Sequence, residues 1–285
     1  MRRRAAGVAV VLLLAVASPA VGQVLDLSGV WQPRFHEDQP ERLAGPALGD
    51  YLGLPITEGA RRWAESWDPS RLTMPEHQCQ VHVAPYIFFG PLNLRIWEEK
   101  DPRTQQPIAI KQYISTYEQT RTIWMDGRAH PSSNSAHTWM GFSTGRWQGD
   151  ALVVETTHIK QGWIRRNGVP MSDRATLREY FIRHGNVLTR VAITTDPVYL
   201  TEPLVKTQNF VLNPRELPEQ NWLWVCQPVV EIADRPFSVV PAYPPGGNPF
   251  LREFRDLAGL PESATRGGAE TAYPEFARRL RQEGR

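Results

Sequence analysis

The chain has 285 residues, of which 41% are hydrophobic and 22% charged, and it contains two cysteines. This length and apolar content suffice for a core in one large domain or two small ones, and two cysteines exclude a disulfide-dense miniprotein, a four-thiolate iron–sulfur cluster and an all-cysteine zinc site. The formal charge of +2 becomes −1 if Arg2, Arg3 and Arg4 are removed, because Lys and Arg fall from 32 to 29 against 30 Asp and Glu, and such a charge argues against non-specific nucleic-acid binding.

The N-terminus has the layout of a secretory signal peptide. Three arginines precede an apolar run of 11 residues, 7–17, which is too short to cross a bilayer as a helix. Small residues follow, with cleavage expected after Ala20 or Gly22. The alternative is a retained membrane anchor, but no stop-transfer flank follows a run of sufficient length. We predict that 1–22 is removed, that the protein is periplasmic or secreted, and that no transmembrane segment remains.

The middle of the chain consists of short segments rich in β-branched and aromatic residues, several of which alternate with a period of two. In the segment 187–195, one face carries Val187, Val191 and Ile193, and the other carries Leu188. Strands are predicted at 85–89, 93–98, 108–117, 120–125, 139–147, 151–157, 177–183, 187–195 and 205–212.

Dipeptides that favour tight turns separate many of these segments. They are Asp101-Pro102, Asp126-Gly127, Gly149-Asp150, Asn167-Gly168 and Gly185-Asn186. Short loops make consecutive strands antiparallel, and closing such a meander removes its exposed edges. We therefore predict an all-β fold, a single antiparallel barrel of about eight to ten strands.

Helices are predicted on either side of the strands. Thr57 is a suitable N-cap for a helix at 58–66, Asn248 caps another that Gly259 ends, and a last helix begins at Pro274. The predicted organisation is a signal peptide at 1–22, a barrel domain at 23–235 and an arm at 236–285. The barrel domain carries a loop and helix insertion from about 33 to 83, and the arm packs two short helices on the barrel.

A Gly-x-Trp motif, Gly29-Val30-Trp31, comes shortly after the predicted signal peptide. The motif and its position after a signal peptide resemble those of the lipocalins and related calycin barrels. This resemblance implies a lipocalin-like barrel in which Trp31 fills the floor, which is a packing role.

Two longer segments are similar to those of a group of exported bacterial proteins described as lipocalin-like. They are Met-Asp-Gly-Arg-Ala-His-Pro at 125–131 and Gly-Arg-Trp-Gln-Gly-Asp-Ala-Leu-Val-Val-Glu-Thr at 145–156. The similarity extends over nearly the whole mature chain, but Phe142 stands where the group often carries histidine. It implies the fold and export, and it implies no reaction.

Asp126, Arg128 and His130 form the most concentrated group of chemically useful side chains. A carboxylate beside an imidazole can fix its tautomer and raise its basicity, which gives a general acid or base near neutral pH, and an arginine can hold an anionic or carbonyl group. We predict these three as the candidate catalytic residues. The alternative is that Asp126 and Gly127 only make a turn, since turns concentrate Asp and Gly for backbone reasons.

Glu155 and several aromatic residues are predicted to bind a ligand. If Glu155 faces the inside of the barrel, it needs a partner such as Arg146 or Arg190; if it faces solvent, it is an ordinary surface residue. Both possibilities remain open at this point. The full predicted set is Trp124, His137, Trp139, Trp147 and Glu155, because an aromatic wall suits an apolar molecule.

His77, Cys79 and His82 have ligand types that suit zinc or copper, with His137 as a fourth candidate. The spacing fits no standard zinc module, and export also makes a disulfide between Cys79 and Cys226 possible. We assign no metal and no cofactor.

The leading functional hypothesis is an exported barrel that binds a hydrophobic small molecule. The second is a cofactor-independent isomerase, dehydratase or cyclase that acts on an apolar substrate in the barrel with Asp126 and His130 as the acid–base pair. The third is an envelope scaffold that uses the C-terminal arm. The sequence contains no serine-nucleophile elbow, phosphate loop or His-Glu-x-x-His helix, which disfavours the enzyme classes that depend on them.

Overall fold

The computed structural model describes residues 26–42, 45–90, 93–213 and 240–283. The predicted signal peptide, 1–22, and Cys226 lie outside the described residues. None of the described helices is both long enough and apolar enough to span a membrane.

The strands, as the structure has them, account for most of the described chain between 94 and 212. They are β1 (Gly29–Pro33), β2 (Leu94–Lys100), β3 (Pro107–Ile114), β4 (Gln119–Trp124), β5 (Phe142–Gln148), β6 (Ala151–Thr157), β7 (Gly162–Trp163), β8 (Pro170–Met171), β9 (Thr176–His184), β10 (Val187–Thr195) and β11 (Leu204–Leu212). The helices are α1 (Glu58–Glu65), α2 (Pro75–Gln78), α3 (Ala84–Ile87), α4 (Phe250–Ala258), α5 (Glu262–Thr265) and α6 (Pro274–Glu283).

Nine of these strands close into a barrel in the order β1-β11-β10-β9-β6-β5-β4-β3-β2, while β7 and β8 form a separate two-stranded sheet. The predicted β-barrel is therefore confirmed. β1 completes the closure because it pairs with β11 on one side and with β2 on the other. Tight turns at Gly149-Asp150 and Gly185-Asn186 join antiparallel neighbours, as their sequences predict.

The prediction of a fully antiparallel sheet is wrong, because β4 and β5 run parallel, with Ile123 opposite Ser143. Gly127 does adopt the positive φ of a tight turn, +75°. The chain then passes through 125–141 and returns to the barrel so that β5 begins beside the end of β4 and runs in the same direction. Parallel neighbours require such a long crossover, whereas a hairpin requires a short loop.

The predicted strand at 85–89 is also wrong, since its first residues belong to the short helix α3. All residues from Ala84 to Phe89 are buried, and a continuous apolar run does not by itself distinguish a strand from a buried helix. Ile87 and Phe88 pack among the apolar side chains of the barrel, and the side-chain amide of Gln208 donates to the Phe88 carbonyl at 2.9 Å. This segment, 84–90, is called the plug below.

Apolar side chains fill much of the barrel interior, and Trp31 is fully buried among them with its indole N–H donating to the Leu27 carbonyl at 2.9 Å. Trp31 therefore has a packing role in the core. Apolar barrel residues that pack with Trp31 are Leu94, Ile96, Ile110, Ile114, Ile123, Leu152, Val154, Phe181, Leu188 and Phe210.

A buried ionic network also lies inside the barrel. Glu179 is fully buried between Arg121 and Arg190, and its carboxylate accepts from Arg190 Nε at 2.7 Å. The side-chain carbonyl of Gln208 accepts from Arg190 at 2.6 Å, and that of Gln112 accepts from Arg121 at 3.4 Å. Burial alone would raise the pKa of Glu179, but the two guanidinium groups outweigh it and lower that pKa. The carboxylate is therefore ionised inside the barrel.

The insertion and the arm pack against each other. Helix α1 begins at Thr57, whose hydroxyl accepts from the Ala60 N–H, and α4 ends at Gly259, so both predicted boundaries are close to those observed. The arm carries three helices, α4 to α6, where two were predicted. Asn248 donates its side-chain amide to the Glu65 carbonyl at 2.9 Å, and Thr271 accepts from the Gly53 N–H at 2.6 Å. These contacts join the arm to the insertion.

Candidate functional site

A cavity of about 460 Å³ lies on the outer face of β6, β9 and β10. We call it the outer groove. Residues that alternate along these strands line it, because side chains at i and i+2 of a strand share one face. Its lining includes His130, Glu155, Thr157, Arg178, Tyr180 and Ile193.

His130 reaches the groove from the crossover loop 125–141. Its Nδ1 lies 2.7 Å from the hydroxyl of Thr157, and its Nε2 lies 2.9 Å from the hydroxyl of Thr144. The ring edge packs on Phe142, with ring centroids 5.3 Å apart. Both nitrogens and one edge of the ring are thus held by strands β5 and β6, so His130 has a defined orientation although it lies on a loop.

The hydroxyl of Thr157 also contacts Nδ1 of His158 at 2.7 Å, and Nε2 of His158 lies 2.8 Å from the Ser132 carbonyl. A carbonyl only accepts, so Nε2 of a neutral His158 carries its proton and Nδ1 accepts from Thr157. The Thr157 oxygen then accepts from Nδ1–H of His130. This leaves Nε2 of His130 as the acceptor for the Thr144 hydroxyl. When Nδ1 of His158 is unprotonated, the Ser132 carbonyl therefore assigns the proton positions along the whole chain of hydrogen bonds.

Burial lowers the pKa of His130. The negative charge of Glu155 opposes this shift, and His158 adds to it. The net lowering keeps His130 neutral near pH 7, with an unprotonated Nε2. A neutral imidazole with one nitrogen held as donor and the other as acceptor has the properties of a general base.

Replacement of Thr157 by valine tests this assignment. The variant removes the acceptor for Nδ1–H, so we expect His130 to change from the Nδ1–H tautomer to the Nε2–H tautomer that free histidine prefers. Nitrogen-15 chemical shifts of the histidine side chains report the tautomer directly. Thr195→Val, at an exposed threonine that also lines the groove, is the matched control. An Nε2–H tautomer already present in the unmodified protein would contradict the assignment.

Glu155 lies on the outside of the barrel, which decides the question that the sequence leaves open. Its carboxylate accepts from Arg178 at 2.8 Å and lies 3.5 Å from Arg146. Arg190, the other partner considered, lies inside and binds Glu179 instead. Glu155 and Arg178 thus give the groove one charge of each sign.

Asp126 and Arg128 do not line the outer groove. They bind each other, with Arg128 Nε 2.9 Å and Nη2 2.5 Å from the two carboxylate oxygens of Asp126. The guanidinium group of Arg128 also lies 3.5 Å from the ring centroid of Trp124. Since His130 binds threonines instead, the predicted pairing of Asp126 with His130 is replaced by a pairing of His130 with Thr144 and Thr157.

The other predicted ligand-binding residues also lie away from the groove lining. Trp147 is exposed, Trp139 is partly buried against the core, and Nδ1 of His137 lies 3.0 Å from the Ile159 carbonyl. Sequence reasoning missed Thr144, Thr157, His158 and Tyr180. The period-two pattern of β6 and β9 places Thr157 and Tyr180 on the outward face, and this was the signal that could have found them.

Comparison with family models, with curated proteins and with solved structures finds no match to this chain. Its function is therefore inferred from the geometry of the site.

The predicted metal-ligand types do not assemble into a metal site. Cys79 is disulfide-bonded, so it has no thiolate to offer, and Cys226, the other cysteine of the sequence, lies outside the described residues. His77 bonds the side chain of Gln80 at 2.7 Å, and His82 is enclosed by aromatic rings. Within the described ranges, no group of three or more His, Cys, Asp or Glu side chains is placed to hold a metal ion.

Proposed function

We propose that this is an exported, lipocalin-like protein that binds a small polar molecule in the outer groove and transfers a proton to or from it through His130. The observation that carries the proposal is the chain of hydrogen bonds Thr144–His130–Thr157–His158–Ser132, which orients a neutral imidazole at the edge of a cavity. Such a fixed acceptor is what general acid–base chemistry requires.

The interior of the barrel offers less support for a ligand site. The hypothesis that an apolar molecule binds inside the barrel requires an empty hydrophobic cavity at its centre. That centre contains Phe88 of the plug, fully buried apolar side chains and the ion pairs of Glu179. An apolar ligand there would have to displace packed side chains and lie against charged groups, at a large free-energy cost.

The groove indicates the class of ligand. Thr157, Tyr180 and the Glu155–Arg178 pair offer donors and acceptors, while Ile193 supplies one apolar wall. These groups suit a small molecule that carries hydroxyl or carbonyl oxygens. The hydrogen bonds of Asn248 and Thr271 join the arm to the insertion of the same chain, so they do not support the scaffold hypothesis.

The test is exchange of the α-protons of dihydroxyacetone in D₂O, followed by proton NMR with the full-length protein. The Thr144 hydroxyl releases Nε2 of His130, Nε2 takes a proton from carbon to leave an enediolate, and solvent returns a deuteron to that carbon. The unmodified protein therefore accelerates the exchange. Replacing His130 by glutamine keeps a polar side chain but removes the base, and we expect a loss of about 100-fold or more.

His184→Gln is the matched control, because His184 is exposed at the end of β9. It should leave the exchange rate unchanged. Equal rates for the unmodified protein and H130Q would refute proton transfer at His130. Binding without exchange, seen as chemical-shift changes at Thr157 and Tyr180, would reduce the function to ligand binding.

A further inference from the structure

A second cavity, of about 710 Å³, lies between the insertion and the C-terminal arm. Its lining residues are distant in sequence from those of the outer groove. We call it the arm cavity. Helix α1 and the loop at 49–51 form one wall, and α4 and α5 form the other. Its lining includes Tyr51, Glu65, Asn248, Leu251, Arg252 and Arg266.

One buried hydrogen-bond donor on the wall of this cavity has no partner among the described residues. Tyr51 is 2% exposed, and the unpaired donor is its hydroxyl. Buried donors are almost always satisfied in native proteins, so each such group needs an explanation.

The hydroxyl of Tyr51 faces the arm cavity. Besides burial, the charges that act on it are those of Glu65, Arg61 and Arg266, and two of these residues line the cavity. Burial and the carboxylate of Glu65 raise the pKa of Tyr51 above its ordinary value, so the phenol keeps its proton. The cavity wall therefore presents a permanent O–H donor.

The charged side chains around the cavity favour a negative ligand. Four arginines and three glutamates line it, which leaves one positive charge in excess. Arg266 binds Glu65 at 2.5 Å and Arg62 binds Glu58 at 3.2 Å. Arg252 forms no ion pair with any residue in the described part of the chain, and its guanidinium group is available at the rim.

From this arrangement we infer that the arm cavity binds a small oxyanion, a carboxylate or a phosphate group, which accepts from the Tyr51 hydroxyl and whose charge is balanced by Arg252. An oxyanion supplies acceptor oxygens to Tyr51 and to the guanidinium group of Arg252 at once, which one water molecule does less well because it also brings donors of its own. The apolar side chain of Leu251 leaves room for an organic remainder.

The test measures binding to the full-length protein by NMR titration with three separate probes, inorganic phosphate, acetate and, as a neutral control, acetamide. Tyr51→Phe removes the donor and keeps the ring, and we expect it to weaken anion binding by about tenfold or more. Arg252→Gln, at an exposed position, should weaken it by about two- to fivefold. Tyr273→Phe and Arg103→Gln alter exposed residues outside the cavity and should change nothing.

Each result decides a point. Binding of phosphate alone or of acetate alone supports the site and identifies the class of anion. Binding of acetamide as strong as that of acetate overturns the requirement for charge. Anion binding that Y51F and R252Q leave unchanged, or no binding of any probe at about 10 mM, where even weak sites bind, overturns the proposal. H130Q, which acts on the outer groove, should not affect these titrations.

Discussion

Replacing Glu179 by glutamine is expected to lower the free energy of unfolding by about 3–5 kcal/mol, because removing one member of a buried ion pair leaves its partners uncompensated. Here two guanidinium groups, those of Arg121 and Arg190, lose their only described carboxylate. Glutamine keeps the size of the side chain, so the loss comes from charge rather than from a cavity. Urea denaturation followed by tryptophan fluorescence measures it.

Glu155→Gln is the matched control, since Glu155 also binds arginines but on the exposed outer face. Exposed ion pairs contribute about 1 kcal/mol or less. The difference between the two variants therefore reports burial. A loss below about 1 kcal/mol in E179Q would mean that the interior arginines are solvated.

The second large effect is a loss of stability in acid caused by His82. Its Nδ1 is buried without a hydrogen-bond partner among the described residues, and the rings of Tyr86 and Tyr117 lie 4.9 Å and 5.6 Å from its own. Burial, with a smaller contribution from the charge of Arg166, lowers the pKa of His82 from 6.5 to about 4. The unfolded chain therefore binds this proton as the pH falls below 6.5, while the folded protein does so only near pH 4.

The contribution of neutral His82 to the free energy of unfolding is consequently complete above pH 6.5. It is lost as the pH drops from 6.5 to 4, and this group causes no further loss below pH 4. The lowering of the pKa from 6.5 to about 4 corresponds to about 3 kcal/mol in total. His82→Phe keeps an aromatic ring but binds no proton. The difference in unfolding free energy between pH 7.5 and pH 4.5 should therefore be about 2–3 kcal/mol smaller in H82F than in the unmodified protein.

Carboxylates titrate in the same interval, so the comparison between variants isolates His82. His184→Gln, at the exposed end of β9, should retain the full acid dependence. The same acid dependence in H82F and in the unmodified protein would show that His82 is accessible to protons in the folded state.

The sequence predicted the strands well where one face is buried. The observed bounds of β6 and β10 are those of the predicted segments, because alternation with a period of two is imposed by a core on one side of the sheet. The path of 125–141 was not predictable in the same way. A tight-turn signal at Asp126-Gly127 acts locally, whereas distant contacts, such as the bridge between Thr138 and Ile159, decide where the loop goes next.

The candidate site was predicted in part for the same reason. His130 was identified from its residue type, but its partners come from strands that only the fold brings near. Asp126 found a partner two residues away in Arg128. Thr144 and Thr157 could not be distinguished from ordinary strand residues. Threonine favours strands because its side chain is β-branched, whether or not its hydroxyl also binds a functional group.

The pairing of β1 with β11, which closes the barrel, has a consequence for folding kinetics. Strand β1 is hydrogen-bonded to β11, where Trp31 stands opposite Leu212, so the ring closes only when the two ends of the barrel sequence meet. Contacts between residues so distant in sequence are slow to form, because loop-closure entropy is lost before the contact stabilises the chain. The rate of refolding should therefore be limited by the pairing of β1 with β11. A chain that ends before β11 should remain an open sheet whose edge strands carry unpaired backbone groups and tend to associate with other chains.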